Sequence, residues 1–248
     1  MKVVLTPLSW DSEKLGLPCA SLRGPWPTRP EAMTAAVVEA LSAAASAALV
    51  VAKTPVGICD PAALQGALPS WTVQALGVEV VHVRPPGEPT ADSPDETTFF
   101  SNALDPTPFL ELAWDMHFSR YHLDAAIGSA RAVSLWRASI TEHCLGFAQE
   151  VAVAKHHGRP AGLATLHLEA EAVRLHIVGV LAWARGQGVG RRLLEAVIAR
   201  HGRARALLVE AHAGNRAAAA LYGAVGCRPT SRHDVLHFWN KRGLNGDG

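Results

Sequence analysis

The residues whose types and spacing most clearly indicate a chemical function lie at positions 185–192, where the sequence reads Arg-Gly-Gln-Gly-Val-Gly-Arg-Arg. An apolar run, 173–182, precedes this segment, and an amphipathic run that begins at Leu193 follows it. A strand that ends in a glycine-rich turn and enters a helix directs free N–H groups and the positive end of the helix dipole at one point. Glycines let the backbone approach an anion closely, and arginines add charged donors. The segment therefore predicts a pyrophosphate-binding turn.

Two other interpretations of this turn are less favoured. The segment has no Gly-Lys-Ser/Thr, which argues against a nucleoside-triphosphate loop. Its glycines follow the spacing G-x-G-x-G rather than the G-x-G-x-x-G of a dinucleotide site. A tight strand-to-helix turn that binds no ligand remains the structural alternative for this motif taken alone.

A second motif lies about thirty residues further on and adds an amide and a phenol. The strand-like run 207–211 is followed by a helical pattern over 216–225. Asn215 is a natural N-cap for this helix. Tyr222 lies seven residues later, two turns along the same helix face. A simple cap for Asn215 and a core position for Tyr222 are the structural alternatives.

Together the two motifs resemble the signature of the GNAT superfamily of acetyl-CoA-dependent N-acyltransferases. The family pattern Arg/Gln-x-x-Gly-x-Gly/Ala is matched by Arg185, Gly188 and Gly190, and its later Asn and Tyr are matched by Asn215 and Tyr222. The resemblance implies an α/β fold with a mixed, splayed central sheet flanked by helices. It also implies acetyl-CoA as the cosubstrate, with no metal.

The resemblance assigns the CoA contacts to two segments. At the end of the strand before the turn, the backbone of Val178, Gly179 and Val180 would pair with the pantetheine arm and polarise the thioester. The other expected contacts belong to the turn and to the later helix cap, and they are Arg185, Gly186, Gln187, Gly188, Val189, Gly190, Arg191 and Asn215.

Acetyl transfer to an amine requires a neutral amine, a polarised carbonyl and a proton for the departing thiolate. Tyr222 is the candidate acid, since a phenol with a pKa of about 10 is protonated at neutral pH. His176 is the candidate base, since an unperturbed imidazole has a pKa of about 6.5. The chain has 12 histidines, so a structural role for His176 is the alternative. His167, Glu169 and Glu171 are weaker candidates for the base.

Recognition of the acceptor is expected from residues 119–124, Ser-Arg-Tyr-His-Leu-Asp. With the N-terminal part of the chain, this loop is similar to that of GNAT enzymes that acetylate the 4-amino group of a dTDP-linked amino-dideoxy sugar. The resemblance implies that Arg120, Tyr121, His122 and Asp124 bind the acceptor, with Arg120 suited to a diphosphate and Tyr121 to stacking. A charged loop that caps the next helix is the structural alternative. An aminoglycoside, a polyamine, an amino acid, a protein amine or a non-catalytic CoA-sensing role also remain open.

Composition narrows the class of partner. Residues 1–105 contain 6 Lys/Arg and 11 Asp/Glu, a balance of −5, whereas residues 106–248 contain 17 and 11, a balance of +6. The basic half suits a polyanionic cofactor, and its scattered arginines without interleaved aromatics do not favour nucleic acid.

Four widely spaced cysteines and the absence of a long apolar run predict a cytoplasmic protein with no membrane segment. The strands also suggest a homodimer.

The order of patterns predicts two domains, an N-terminal α/β domain smaller than the GNAT domain that follows it. The predicted divisions are a domain over 1–84, a proline-rich linker over 85–98, the GNAT domain over 99–242 and a disordered tail over 243–248. In the first domain we expect strands at 3–10, 48–52 and 73–83 and helices at 31–46 and 61–68. In the second we expect helices at 105–116 and 129–144, strands at 147–155 and 161–168, then β-α-β-α-β and a closing strand pair.

Overall fold

The computed structural model describes residues 2–44, 46–88 and 98–242. The predicted tail, 243–248, and most of the predicted linker lie outside these ranges. In the described part of the linker, the N–H of Gly87 donates to the carbonyl of Gly202 at 2.9 Å.

The chain forms two compact units, and neither is one continuous stretch. The first unit comprises Met1–Glu79, Leu123–Arg131 and Arg232–Gly248. The second comprises Val80–His122 and Ala132–Ser231. The predicted domains 1–84 and 99–242 correspond to these units only in part, because residues 232–240 complete the first unit.

The first unit is an α/β layer whose sheet has the strand order β1-β2-β3-β10, numbered along the whole chain. Strands β2 and β3 are parallel, and the other two pairs are antiparallel. Its elements are β1 (Val4–Pro7), α1 (Ser9–Leu15), β2 (Cys19–Arg23), α2 (Pro30–Ser42), β3 (Leu49–Pro55), α3 (Pro61–Ala67), and parts of β4 (Trp71–Arg84) and β10 (Arg228–Asn240).

The predicted strand over 3–10 is wrong in its second half, where helix α1 begins at Ser9. Side-chain hydrogen bonds hold this short helix against the next strand. The Ser12 hydroxyl donates to the carbonyl of Leu8 at 2.8 Å and accepts from the N–H of Cys19 at 2.8 Å. Gly16, with φ of 68°, then ends the helix in the left-handed conformation.

The second unit carries the strand order β4-β9-β8-β7-β6-β5. Strands β8 and β9 are parallel, and β5 to β8 are antiparallel neighbours. Its elements after β4 are β5 (Thr98–Ser101), a 3₁₀ helix (Thr107–Asp115), α4 (Arg120–Leu123), α5 (Ser129–Glu142), a π-helical turn (His143–Phe147), β6 (Glu150–His156), β7 (Arg159–Leu168), β8 (Ala172–Val180), a short 3₁₀ helix (Ala182–Ala184), α6 (Val189–His201), β9 (Ala206–His212) and α7 (Arg216–Ala224).

Three predictions for this unit need correction. The helix expected over 105–116 is a 3₁₀ helix, preceded by a turn in which Asp105 accepts from the N–H of Thr107 at 3.0 Å. The expected loop at 119–124 contains the short helix α4. The expected closing strand pair is the single long strand β10.

The sheet of the second unit is buried on both faces, which explains why its strands read as nearly continuous apolar runs. On one face, Leu193 and Val197 of α6 pack in a cluster with Val173 of β8. On the other face, Leu112 of the 3₁₀ helix packs in a cluster with Ile177 of β8. Strand β8 is therefore the middle layer on which the elements of both faces rest.

Strand β8 contains a bulge that changes its pairing. Leu175 pairs with Leu166 and Val178 pairs with Ala164, so His176 and Ile177 together oppose only Thr165. The N–H of Ile177 donates to the buried Thr165 hydroxyl at 3.1 Å.

Pairing of β8 with β9 covers only 172–175 against 206–209, although β8 continues to Val180 and β9 to His212. The two strands therefore separate beyond the bulge. This confirms the mixed, splayed sheet that the family resemblance implies.

Candidate active site

A cavity of about 550 Å³ lies in the second unit at the point where β8 and β9 separate. This volume falls in the range of about 300–1,000 Å³ that is usual for small-molecule sites. The lining comes from the 3₁₀ helix and the segment after it, the end of β8, the turn before α6, and α7. The residues that line it are Leu112, Asp115, Met116, His117, Val178, Gly179, Val180, Ala184, Arg185, Gly186, Gly188, Val189, Gly190, Arg191, Asn215, Ala217, Ala218, Leu221 and Tyr222.

The end of β8 brings backbone close to this cavity. Val178, Gly179 and Val180 line it, beyond the last residues that pair with β9. A Cβ on Gly179 would lie 2.8 Å from a methyl group of Leu112, so glycine is what lets the 3₁₀ helix pack on the strand. A strand edge that has lost its neighbour offers N–H and C=O groups to an extended ligand.

The glycines of the turn meet two different requirements. Gly186 and Gly188 have φ of 73° and 75°, in the left-handed region that favours glycine. Gly190 lies in the first turn of α6, where a Cβ would come within 3.2 Å of Leu221 and 3.3 Å of Val180. The cap of α6 is Gly188, which has no side chain to bond the N–H groups of the first turn. These groups are therefore available to an anion.

Arg185 holds the end of β8 and is already paired. Its Nε donates to the carbonyl of Val180 at 3.0 Å, and its Nη2 lies 2.5 Å from a carboxylate oxygen of Asp115. Arg185 also lines the cavity, so its guanidinium supplies positive charge there while it connects the turn to the 3₁₀ helix.

The remaining polar residues of the turn point in different directions. Arg191 lines the cavity and forms an ion pair with Glu195 at 2.8 Å. Arg192 donates to the carbonyl of Gln187 at 3.0 Å. The side chain of Gln187 bonds His156 and the carbonyl of Trp183, and Gln187 is not among the lining residues. The expected CoA contact through Gln187 is therefore not supported.

Helix α7 brings its cap and its tyrosine to the same cavity. The Asn215 side chain accepts from the N–H of Ala218 at 3.1 Å, as an N-cap does, and also lines the cavity. The buried Tyr222 lines it too, and its ring lies 5.4 Å from that of His82. Burial, with a smaller contribution from the Cys227 thiol, raises the pKa of the Tyr222 hydroxyl. The phenol is neutral at pH 7 but releases its proton less readily than a free phenol.

Comparison with known proteins identifies the fold on which this cavity is built. A family model described as "Acetyltransferase (GNAT) family" matches residues 98–226, slightly more than half of the chain. The chain belongs to this family. The second unit is therefore an acetyltransferase unit, and acetyl-CoA is the cosubstrate that the family uses.

Solved structures resemble this acetyltransferase in fold. A functionally unknown conserved protein from Staphylococcus epidermidis superposes with a TM-score of 0.57 at 14% identity, covering 90% of this chain and 84% of its own. A GCN5-related N-acetyltransferase from Kribbella flavida superposes with a TM-score of 0.52 at 14% identity, covering 90% and 81%. None of the curated proteins compared with the sequence matches it. Within the described ranges, no helix combines the length and apolarity of a membrane span.

The placement of His176 argues against its predicted role as the base of this acetyltransferase. His176 lies in the bulge and is not a lining residue of the cavity. Its ring centroid lies 4.4 Å from that of His167 and 5.6 Å from that of His143. Desolvation and these two imidazoles lower the pKa of His176 to about 4, below the range of an effective base at neutral pH. The imidazole that lines the cavity is that of His117.

The loop residues expected to bind the acceptor are engaged with protein groups. The Arg120 guanidinium donates to the Tyr121 hydroxyl at 2.7 Å and lies over that ring. The His122 ring bonds the Ser119 hydroxyl at 3.0 Å. The lining of the cavity includes none of the three residues Arg120, Tyr121 and His122.

Asp124 is a structural residue of the first unit. It is completely buried and accepts from His237 at 2.5 Å and from the indole N–H of Trp239 at 2.8 Å. Burial alone would raise its pKa, but these hydrogen bonds hold the pKa of Asp124 below its usual range. A carboxylate enclosed in this way is engaged in the fold, and Asp124 does not line the cavity, so its predicted role in acceptor binding is not supported.

Sequence reasoning missed the contribution of the segment 112–117. Leu112, Asp115, Met116 and His117 line the cavity, and none of them belongs to a recognisable motif. The Asp-Pro-Thr-Pro start at 105–108 indicates a helix, but nothing in it tells which end reaches the site. The ion pair of Asp115 with Arg185 joins residues 70 positions apart, which no local pattern reveals.

We predict that replacing Gly188 weakens CoA binding. A left-handed conformation costs a residue with a Cβ about 1–2 kcal/mol, and a β-branched one more. Gly188→Val should therefore bind CoA at least about tenfold more weakly by calorimetry. Gly188→Asn should lose less, because asparagine tolerates this conformation better. As the control, Gly66→Ala places its Cβ in open space in α3 and should bind normally. Normal CoA affinity in Gly188→Val would exclude this turn as the phosphate site.

Proposed function

We propose that this acetyltransferase transfers the acetyl group of acetyl-CoA to the primary amine of a small molecule. The observation that carries the proposal is that one cavity is lined by an unpaired strand edge, a glycine turn at a helix N-terminus, and Tyr222. These are an edge for an extended chain, a site for an anion, and a proton donor.

Acetyl-CoA supplies an activated acetyl thioester. The N–H groups at the start of α6 suit its pyrophosphate, with Arg185 and Arg191 adding positive charge. The edge over 178–180 suits the amide-containing pantetheine chain, because β9 has separated from it. The compact side chains of this edge leave its backbone accessible. In the first turn of α6, Gly190 has no Cβ, and a Cβ there would close the gap between α6 and its neighbours.

Tyr222 and His117 divide the proton chemistry in this proposal. Tyr222 holds a proton at its hydroxyl and donates a hydrogen bond to the departing sulfur as negative charge develops there. Its raised pKa keeps that hydroxyl protonated throughout the neutral range. His117 replaces His176 as the group that accepts the amine proton, because it is the imidazole in the lining.

For the acceptor we propose the 4-amino group of a dTDP-linked amino-dideoxy sugar. This is the acceptor of dTDP-fucosamine acetyltransferase, which the chain resembles. Its support is the similarity of the chain's plan and of the 119–124 segment. Arg120 and Tyr121 do not line the cavity, so their contact with the acceptor requires a site beyond it. An aminoglycoside, a polyamine, an amino acid or a protein amine is the alternative acceptor.

A thiol-release assay over a panel of amines tests this function. The panel contains dTDP-4-amino-4,6-dideoxygalactose, an aminoglycoside, a polyamine, an amino acid and a short peptide, each with acetyl-CoA. We expect stoichiometric release of CoA thiol and acetylated product with a small amine, greatest with the sugar nucleotide. Greater release with a free amine would remove the sugar-nucleotide assignment only. CoA binding without thiol release from any of them would instead indicate a non-catalytic module.

Tyr222→Phe should lower kcat by about 10²- to 10³-fold, because the positioned hydroxyl is lost while the ring still fills its place. KM for acetyl-CoA should change little, since the phosphate and pantetheine contacts remain. Steady-state kinetics with the best amine of the panel measure both constants, and a urea titration checks that stability is retained. An unchanged kcat would return Tyr222 to a purely structural role.

His117→Gln should lower kcat by about 10²-fold near neutral pH, where the amine needs help to lose its proton. The deficit should shrink at higher pH, because solvent then deprotonates the amine. His176→Asn provides the comparison, and we expect the smaller loss from it. A larger loss in His176→Asn across the pH range would restore the base that the sequence predicted.

A further inference from the structure

Three histidines that the proposed reaction does not use come together on the face of the sheet that carries α5. His143 begins the π-helical turn after α5, His167 lies near the end of β7, and His176 lies in the β8 bulge. Their ring centroids are 5.4, 5.6 and 4.4 Å apart. One nitrogen of each ring lies within 4.8 Å of the corresponding nitrogens of the other two.

We propose that His143, His167 and His176 bind a divalent transition-metal ion, with Zn²⁺ as the metal that their chemistry fits best. Imidazole nitrogens are favoured ligands of zinc, at about 2.0–2.1 Å in a tetrahedral arrangement. That geometry separates two ligand nitrogens by about 3.4 Å. Rings whose nitrogens lie within 4.8 Å need to close by little more than an ångström, which side-chain rotation supplies.

The hydrogen bonds of His143 fix the tautomer that a metal requires. Its Nδ1 lies 2.7 Å from the carbonyl oxygen of Ser139, which can only accept, so Nδ1 carries the proton and donates. The lone pair is therefore on Nε2. This nitrogen is buried and has no hydrogen-bond partner among the described residues. A backbone carbonyl that orients a histidine from behind is the usual arrangement in metal sites.

His167 provides a second nitrogen in the same condition. Its Nε2 is buried and makes no hydrogen bond within the part of the chain that the structure describes. An unsatisfied buried nitrogen is costly, and two in one cluster need an explanation. A metal ion between them would satisfy both.

The surroundings provide access and charge compensation. His176 is exposed, which leaves a path for an ion and a position for a water ligand. The ring of Phe147 packs against His143 at 5.0 Å and against His167 at 5.4 Å, and covers the cluster from one side. Glu142, Glu169 and Glu210 act electrostatically on His143, His167 and His176, respectively. Arg174 offsets part of this negative charge, since it pairs with Glu169 and Glu210.

Zinc titration of the chelator-treated full chain, free of any histidine tag, tests the proposal. We expect about one Zn²⁺ per chain by calorimetry, with a micromolar or tighter Kd. His167→Gln and His176→Asn should each weaken binding by at least about tenfold, since each removes one ligand. His157→Asn is the control, because this exposed histidine lies in a hairpin turn at φ of 49°, which asparagine tolerates, and should bind zinc as the unmodified chain does.

Co²⁺ substitution provides a readout that weak surface binding would not give. The unmodified chain and His157→Asn should show the intense visible absorption of four-coordinate cobalt, and His176→Asn should lose it. Absence of zinc binding at about 100 µM would overturn the proposal. Unchanged zinc affinity and cobalt absorption in both His167→Gln and His176→Asn would overturn it as well. Neither measurement depends on catalytic activity, so the result stands whatever the acceptor is.

Discussion

The separation of β8 from β9 is the constraint on which the site depends. Two residues of β8, His176 and Ile177, oppose the single residue Thr165, and the buried Thr165 hydroxyl satisfies the N–H that this mismatch displaces. Pairing with β9 stops just before the bulge. Without the bulge, the parallel ladder would run on to the end of β9, with His212 opposite Val178, and would close the start of the edge that lines the cavity. The bulge in β8 thus determines whether this part of the sheet is continuous or splayed.

The other residues of the site hold the elements around the separated end of β8 in place. Arg185 bonds the carbonyl of Val180 and Asp115, so one side chain holds the strand end, the turn and the 3₁₀ helix together. Gly179 allows Leu112 to pack directly on the strand, and Gly190 allows α6 to approach Leu221 of α7. Close contacts through glycine therefore set the width of the cavity from two sides. The same glycines leave little room for substitution.

The parts of the site that the sequence predicted are those with a local cause. The left-handed glycines before α6 and the cap at Asn215 depend only on neighbours in the chain. His117, Asp115 and the bulge depend on contacts with distant residues, and no periodicity reports them. The placement of His176 outside the cavity lining was not predictable, because strand position alone does not tell on which side of a bulge a side chain lies. Similarly, Asp124 in a charged loop looks exposed until its partners, His237 and Trp239, are known.

The shared strand β10 has a consequence for how the chain folds as it is synthesised. Leu236 and Phe238 are fully buried in the core of the first unit, alongside residues such as Met33 and Leu64. That core cannot be completed until residues 232–240 have left the ribosome. Most of the acetyltransferase unit, 132–231, has emerged by then. Although domains generally fold from the N-terminus onward during translation, the first unit here must wait for β10, which is synthesised after most of the acetyltransferase unit.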